Sequence, residues 1–127
     1  MRGPVEIEMD DSTGEIIADL AVDYWKLMRA FERLLGQVPP ERARRAEGQL
    51  RFAAGRLTIS LEAAGLSLAV FDGRPLDATI PASAINAEDT LDFAIITETL
   101  EPAVLAGNRV LRTARVVVAT PSHGEKE

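Results

Sequence analysis

Few residues in this chain have the type and spacing to do chemistry. The carboxylate pairs Glu88-Asp89 and Glu98/Glu101 raise the question of acid–base catalysis. Such pairs work when a pocket pushes their two pKa values apart, and here the flanking residues are small and polar, with no His, Cys or Lys among them. The single histidine, His123, lies in the polar tail Pro121-Ser122-His123-Gly124-Glu125-Lys126-Glu127, whereas a metal site takes three or four ligands. There is no cysteine, which excludes disulfides, thiolate ligands and Cys nucleophiles. Ala54-Gly55-Arg56 and Asp72-Gly73-Arg74 lack the spacing of a phosphate-cradling loop. The expectation is a protein with no catalytic residues, no metal and no cofactor.

What remains is binding, and composition narrows the partner. The 127 residues are 46% hydrophobic and 27% charged, an ordinary globular balance with a chain long enough to bury a modest core. Aromatics are 5%, so that core must be built from Leu, Val, Ile and Ala. A formal net charge of −6 argues against nucleic acid, whose binders carry basic surfaces. No run approaches the ~20 apolar residues that span a bilayer. The acidic start, Met1 to Asp11, has no signal-peptide apolar core. A cytoplasmic protein is expected, with no membrane and no nucleic-acid partner.

The elements that would carry a binding surface follow from periodicity. Ser12 and Glu15 have capping-box spacing. After them Ile17, Leu20, Tyr24, Leu27, Phe31 and Leu34 recur at steps of three and four, the seam of an amphipathic helix that Gly36 ends. Pro39-Pro40 breaks and restarts the chain. A second helix carries Leu50, Ala54, Leu57, Leu61 and Ala64, and Gly48 and Gly55 join Ala43, Ala46 and Ala53 as a narrow face for a close helix neighbour. Gly65 suits a left-handed C-cap.

Beyond it Leu66, Leu68 and Val70 alternate as in a half-buried strand, and Asp72-Gly73 marks a turn. Residues 75–90 should be irregular with short strand pieces. A strand is expected over Asp92–Leu100, and a tight hairpin through Gly107-Asn108 into a strand over 109–119. The predicted organisation is an acidic arm (1–14), a helical hairpin (15–65), an all-β head (66–120) and a polar tail (121–127), an α+β fold.

Two surfaces are candidates for contact. Residual apolar positions Ile16, Trp25, Met28, Leu35 and Ile59 suggest that the hairpin has a second covered face. It is therefore expected to form half of a homodimeric four-helix bundle through Tyr24, Leu27, Phe31, Leu50 and Leu57. The competing arrangement packs the helices only on each other and on the head. The basic run Glu41–Glu47 reads as a solvated helix face, with steering of an acidic partner as the alternative.

The second surface lies on the head. Arg109, Leu111, Arg112 and Ala114 after the Gly107-Asn108 turn, Pro75-Leu76-Asp77, and Ala63-Ala64-Gly65-Leu66 at the end of the second helix occur in an order and spacing that resemble GrpE proteins. These are nucleotide-exchange co-chaperones of DnaK-type chaperones, and the likeness covers roughly residues 20–119. The chain resembles a short, divergent member, without the long N-terminal stalk helix. It also departs from the family in having no His in Ala78–Ser83 and Ala103-Val104 where a Gly-Tyr step is usual.

The resemblance implies a head that binds the nucleotide-binding domain of a DnaK-type chaperone and promotes ADP release, through Leu76, Asp77, Leu100, Arg109 and Arg112. The alternative it leaves open is a GrpE-fold binding or assembly module that no longer exchanges nucleotide and serves a dedicated protein partner.

Overall fold

The computed structural model describes residues 11–86 and 94–119. The chain divides at Leu66–Ser67 into two compact units, a helical one and a β one.

Helix α1 spans Asp11–Leu35 and helix α2 spans Pro40–Ala63. α1 already includes residues 11–14, so Ser12 stands inside the helix and the expected capping box at Ser12 and Glu15 is not its start. Gly36 closes α1, its N–H donating to the carbonyls of Glu32 and Arg33. Pro40 opens α2 in the first turn, where its missing N–H costs nothing.

The end of α2 is a Schellman motif. Gly65 takes φ +77°, its N–H donates to Glu62 O, and the Leu66 N–H reaches back to Leu61 O at 2.8 Å. Leu61 and Leu66, the two apolar residues that such a motif brings together, are both buried.

Small residues dominate what the helices bury. α1 encloses Ala18, Ala21 and Val22, and α2 encloses Ala43 and Leu61. The narrow face expected from Gly48, Gly55, Ala43, Ala46 and Ala53 is not one face. Ala43 is buried and Ala46 and Ala53 are half-buried, while a Cβ placed on Gly48 or Gly55 would meet nothing within 4 Å. The 100° step between successive helical residues puts these glycines on the other side of α2 from Ala43.

The β unit holds six short strands among the described residues: β1 Ser67–Ala69, β2 Ala82–Ala84, β3 Ile95–Glu101, β4 Ala103–Ala106, β5 Arg109–Arg112 and β6 Ala114–Ala119. They form two three-stranded sheets. One has the order β1-β4-β5, antiparallel throughout. In the other, β6 lies between β2, which runs parallel to it, and antiparallel β3. The fold is α+β, a helical hairpin followed by a β head.

The chain changes sheets at Pro102 and again at Thr113. The strand expected over 109–119 is therefore two strands. Its first half pairs with β4 across the Gly107-Asn108 turn, where Gly107 has φ +65°, and its second half fills the centre of the other sheet. Alternation on β6 buries Ala114, Val116 and Val118 while Arg115 points out. They join Phe71, Ile80, Ala94, Ile96 and Ala103 in the head core.

Val70, expected on the buried side of a strand, is instead about half exposed, because β1 ends at Ala69. Residues 92 and 93 of the expected strand, the pair Glu88-Asp89, His123, and most of the arm and tail lie outside the described residues.

Two polar side chains tie the head together. Thr99 is buried, and its Oγ1 accepts from the Phe71 N–H at 3.1 Å while its own N–H donates to Asp72 Oδ1 at 3.0 Å. Asn86 uses its side-chain amide like a backbone unit: Nδ2 donates to Val118 O and Oδ1 accepts from Val118 N–H.

Candidate functional site

The seam of α1 is the most unusual surface of the helical unit. Leu27 is 71% exposed, Leu20 63% and Leu34 60%, with Tyr24 and Phe31 also exposed. α1 carries two apolar stripes, and among the described residues it is the one with Ala18, Ala21 and Val22 that is covered. Single exposed leucines are normal, but a contiguous row of large apolar side chains marks an interaction face.

That row borders a groove between the helices. The Tyr24 hydroxyl donates to Ala53 O at 3.1 Å and crosses the groove at its middle. On one side of this bridge a cavity of about 480 Å³ is lined by Leu27, Phe31, Leu34 and Leu50. On the other, one of about 560 Å³ is lined by Leu20, Phe52, Arg56 and Leu57. Both share Tyr24 and Ala53. Tyr24, Leu27, Phe31, Leu50 and Leu57 thus come together along one groove, the leucines of α2 half-buried in its floor.

A third cavity, of about 490 Å³, shares Met28 and Leu50 with the first and adds Trp25, Leu35 and Ala54. Arg29 stacks over the Trp25 ring at 4.8 Å. Of the residual apolar positions named from sequence, Trp25, Met28 and Leu35 are therefore half-buried here, whereas Ile16 and Ile59 are exposed. Phe52, 67% exposed, is a groove residue that the sequence reading missed. Its signal was the seven-residue step to Ile59, which repeats on one side of α2.

On the head, the five residues expected to touch a partner are spread over three elements. Arg109 opens β5 and is exposed, and Arg112 closes it, half-buried, with Nη1 donating to Leu111 O at 2.7 Å. β5 is an edge strand of its sheet. Leu100 is half-buried on β3, an edge of the other sheet.

Leu76 packs against the head core, and its N–H donates to Ala94 O. Asp77 is exposed and builds an Asx turn. The Thr79 hydroxyl and the Thr79 N–H both donate to its carboxylate, and together they hold its pKa below the usual aspartate value. This loop is a self-satisfied turn, with the Asp77 carboxylate facing solvent.

Nothing in the described residues assembles a catalytic constellation. Glu98 is exposed and Glu101 half-buried on β3, and no group of three or more potential metal ligands occurs among the described residues. Nor is any described helix long and apolar enough to cross a membrane. Compared with known proteins, the chain matches no family model, no curated protein and no solved structure, and its candidate surfaces rest on their own geometry.

Proposed function

We propose that the chain is a protein-binding module of GrpE-like build. Its β head grips the nucleotide-binding domain of a DnaK-type chaperone in the cytoplasm, and its helical hairpin pairs with a second copy. The observation that carries this reading is a helical hairpin with an uncovered apolar seam, followed in the chain by a β head that presents an arginine-bearing edge strand.

Exchange by such a module needs no residue in contact with nucleotide. If the head binds the open, nucleotide-free chaperone more tightly than the closed one, ADP affinity falls by the same factor, since coupling between two ligands is reciprocal. An edge strand with arginines suits this kind of contact, because a few apolar and Arg anchors commonly carry most of an interface's energy.

A second reading, a binding or assembly module without exchange activity, draws on Ala103 and Val104. Both are fully enclosed in β4, so the position that resembles the family's Gly-Tyr step offers no side chain to a partner. Mixing the purified protein with a DnaK-type chaperone loaded with fluorescent ADP separates the readings. Accelerated, saturable release of the label is the expected result. Binding without release favours the second reading, and absence of binding removes the chaperone as partner.

A further inference from the structure

Helix α2 has an outer face that the described residues leave uncovered. Phe52 is 67% exposed and Ile59 66%. They stand seven residues apart, on the side of α2 away from Ala43, Leu50, Leu57 and Leu61, which are buried or half-buried. The 100° step between helical residues puts Gly48 and Gly55 in the same row, which alternates glycine and large apolar residue over ~16 Å. A Cβ on either glycine would meet nothing within 4 Å, so each leaves a notch beside an exposed apolar side chain.

Arginines border this row on both sides. Arg44 and Arg51 fall along one flank and Arg45 and Arg56 along the other, all four exposed. The Arg56 guanidinium lies over the Phe52 ring at 5.8 Å. Of the three acids on α2, Glu41 and Glu62 stand in its first and last turns. The third, Glu47, lines the cavity shared with Trp25, which Arg51 also borders. Phe52 and Arg56 reach the groove along Tyr24, whereas Gly48, Gly55 and Ile59 line none of the three cavities.

The single sign of charge on both flanks selects the occupant. A second copy on this face would set arginine against arginine, because flanking charges meet across paired helices. A lipid surface takes up a broad apolar face, and this row is one side chain wide and notched. We propose that the outer face of α2 receives an acidic amphipathic helix of another protein. Its large apolar side chains sit over Gly48 and Gly55, beside Phe52 and Ile59. Its Glu or Asp residues lie against Arg44, Arg45, Arg51 and Arg56, which fix the choice of partner. The inference rests neither on the chaperone contact nor on pairing through α1.

The probe is a labelled three-heptad peptide with leucine at its core positions and glutamate at its flanking ones, and the control peptide carries lysine at the flanks. Like charges keep each peptide from pairing with itself. Mixed with the full chain at low salt, the glutamate peptide should bind about tenfold or more tightly than the lysine peptide by fluorescence anisotropy. The double change Arg44→Glu with Arg51→Glu should weaken that binding by about tenfold. Gly48→Ala with Gly55→Ala should also weaken it several-fold while raising the thermal midpoint of the helices, a combination that a misfolded variant cannot give.

Equal binding of the two peptides overturns the proposal, as does an affinity that either double change leaves untouched. Stronger binding to phosphatidylserine vesicles than to the glutamate peptide overturns it in favour of a membrane surface.

Discussion

At the scale of single residues, the head depends on polar side chains that do backbone work. Thr99 satisfies the buried N–H of Phe71, and Thr99→Val keeps the shape but removes the acceptor. The orphaned N–H should cost ~1–3 kcal/mol in denaturant unfolding of the head, and an unchanged midpoint would mean that water reaches the site. Asp77 gives a pH-dependent case. Its folded pKa lies below the unfolded value through the Thr79 hydroxyl and N–H, so its contribution is present above the ordinary aspartate pKa of ~3.9 and is lost as pH falls through the lower, folded value. Thr79→Ala should move the Asp77 titration back up towards the ordinary value by NMR. Neither Thr99 nor Asn86 announces itself in the sequence. Their partners lie 28 and 32 residues away, and only the closed fold shows which backbone groups need them.

At the scale of elements, the helices were the most legible part of the chain. The step pattern of α1, the Pro40 restart and the Gly65 cap all follow from rules that act within one turn. What the sequence left open was which of two stripes on α1 is covered, since heptad spacing specifies a face without naming its neighbour. The break at Thr113 was hidden for a related reason. Arg109–Ala119 reads as one β-rich run, and a change of sheet is set by how two sheets close on a core rather than by local preference.

The glycines make the element scale testable. Gly48→Ala and Gly55→Ala put a Cβ into open space and should each stabilise the helical unit by up to ~1 kcal/mol, read as a rise in thermal midpoint by circular dichroism. Gly65→Ala should lose ~1 kcal/mol in the same assay, because φ +77° is strained for a side-chain-bearing residue. The opposite signs distinguish a glycine that the backbone needs from two that it tolerates.

At the scale of the whole molecule, the described residues expose a row of large apolar side chains along α1. In an isolated chain Leu27 touches mainly solvent, so Leu27→Glu would change stability by no more than ~0.5 kcal/mol. If a second copy lies over the seam, the same change buries a charge without a partner and should abolish association while circular dichroism still reports both helices. Sedimentation equilibrium on the natural sequence and on Leu27→Glu tests this most directly. The account predicts twice the 13.7 kDa chain mass for the first and the single-chain mass for the second. A natural sequence that sediments as one chain at all concentrations, or a Leu27→Glu variant that still pairs, would contradict it.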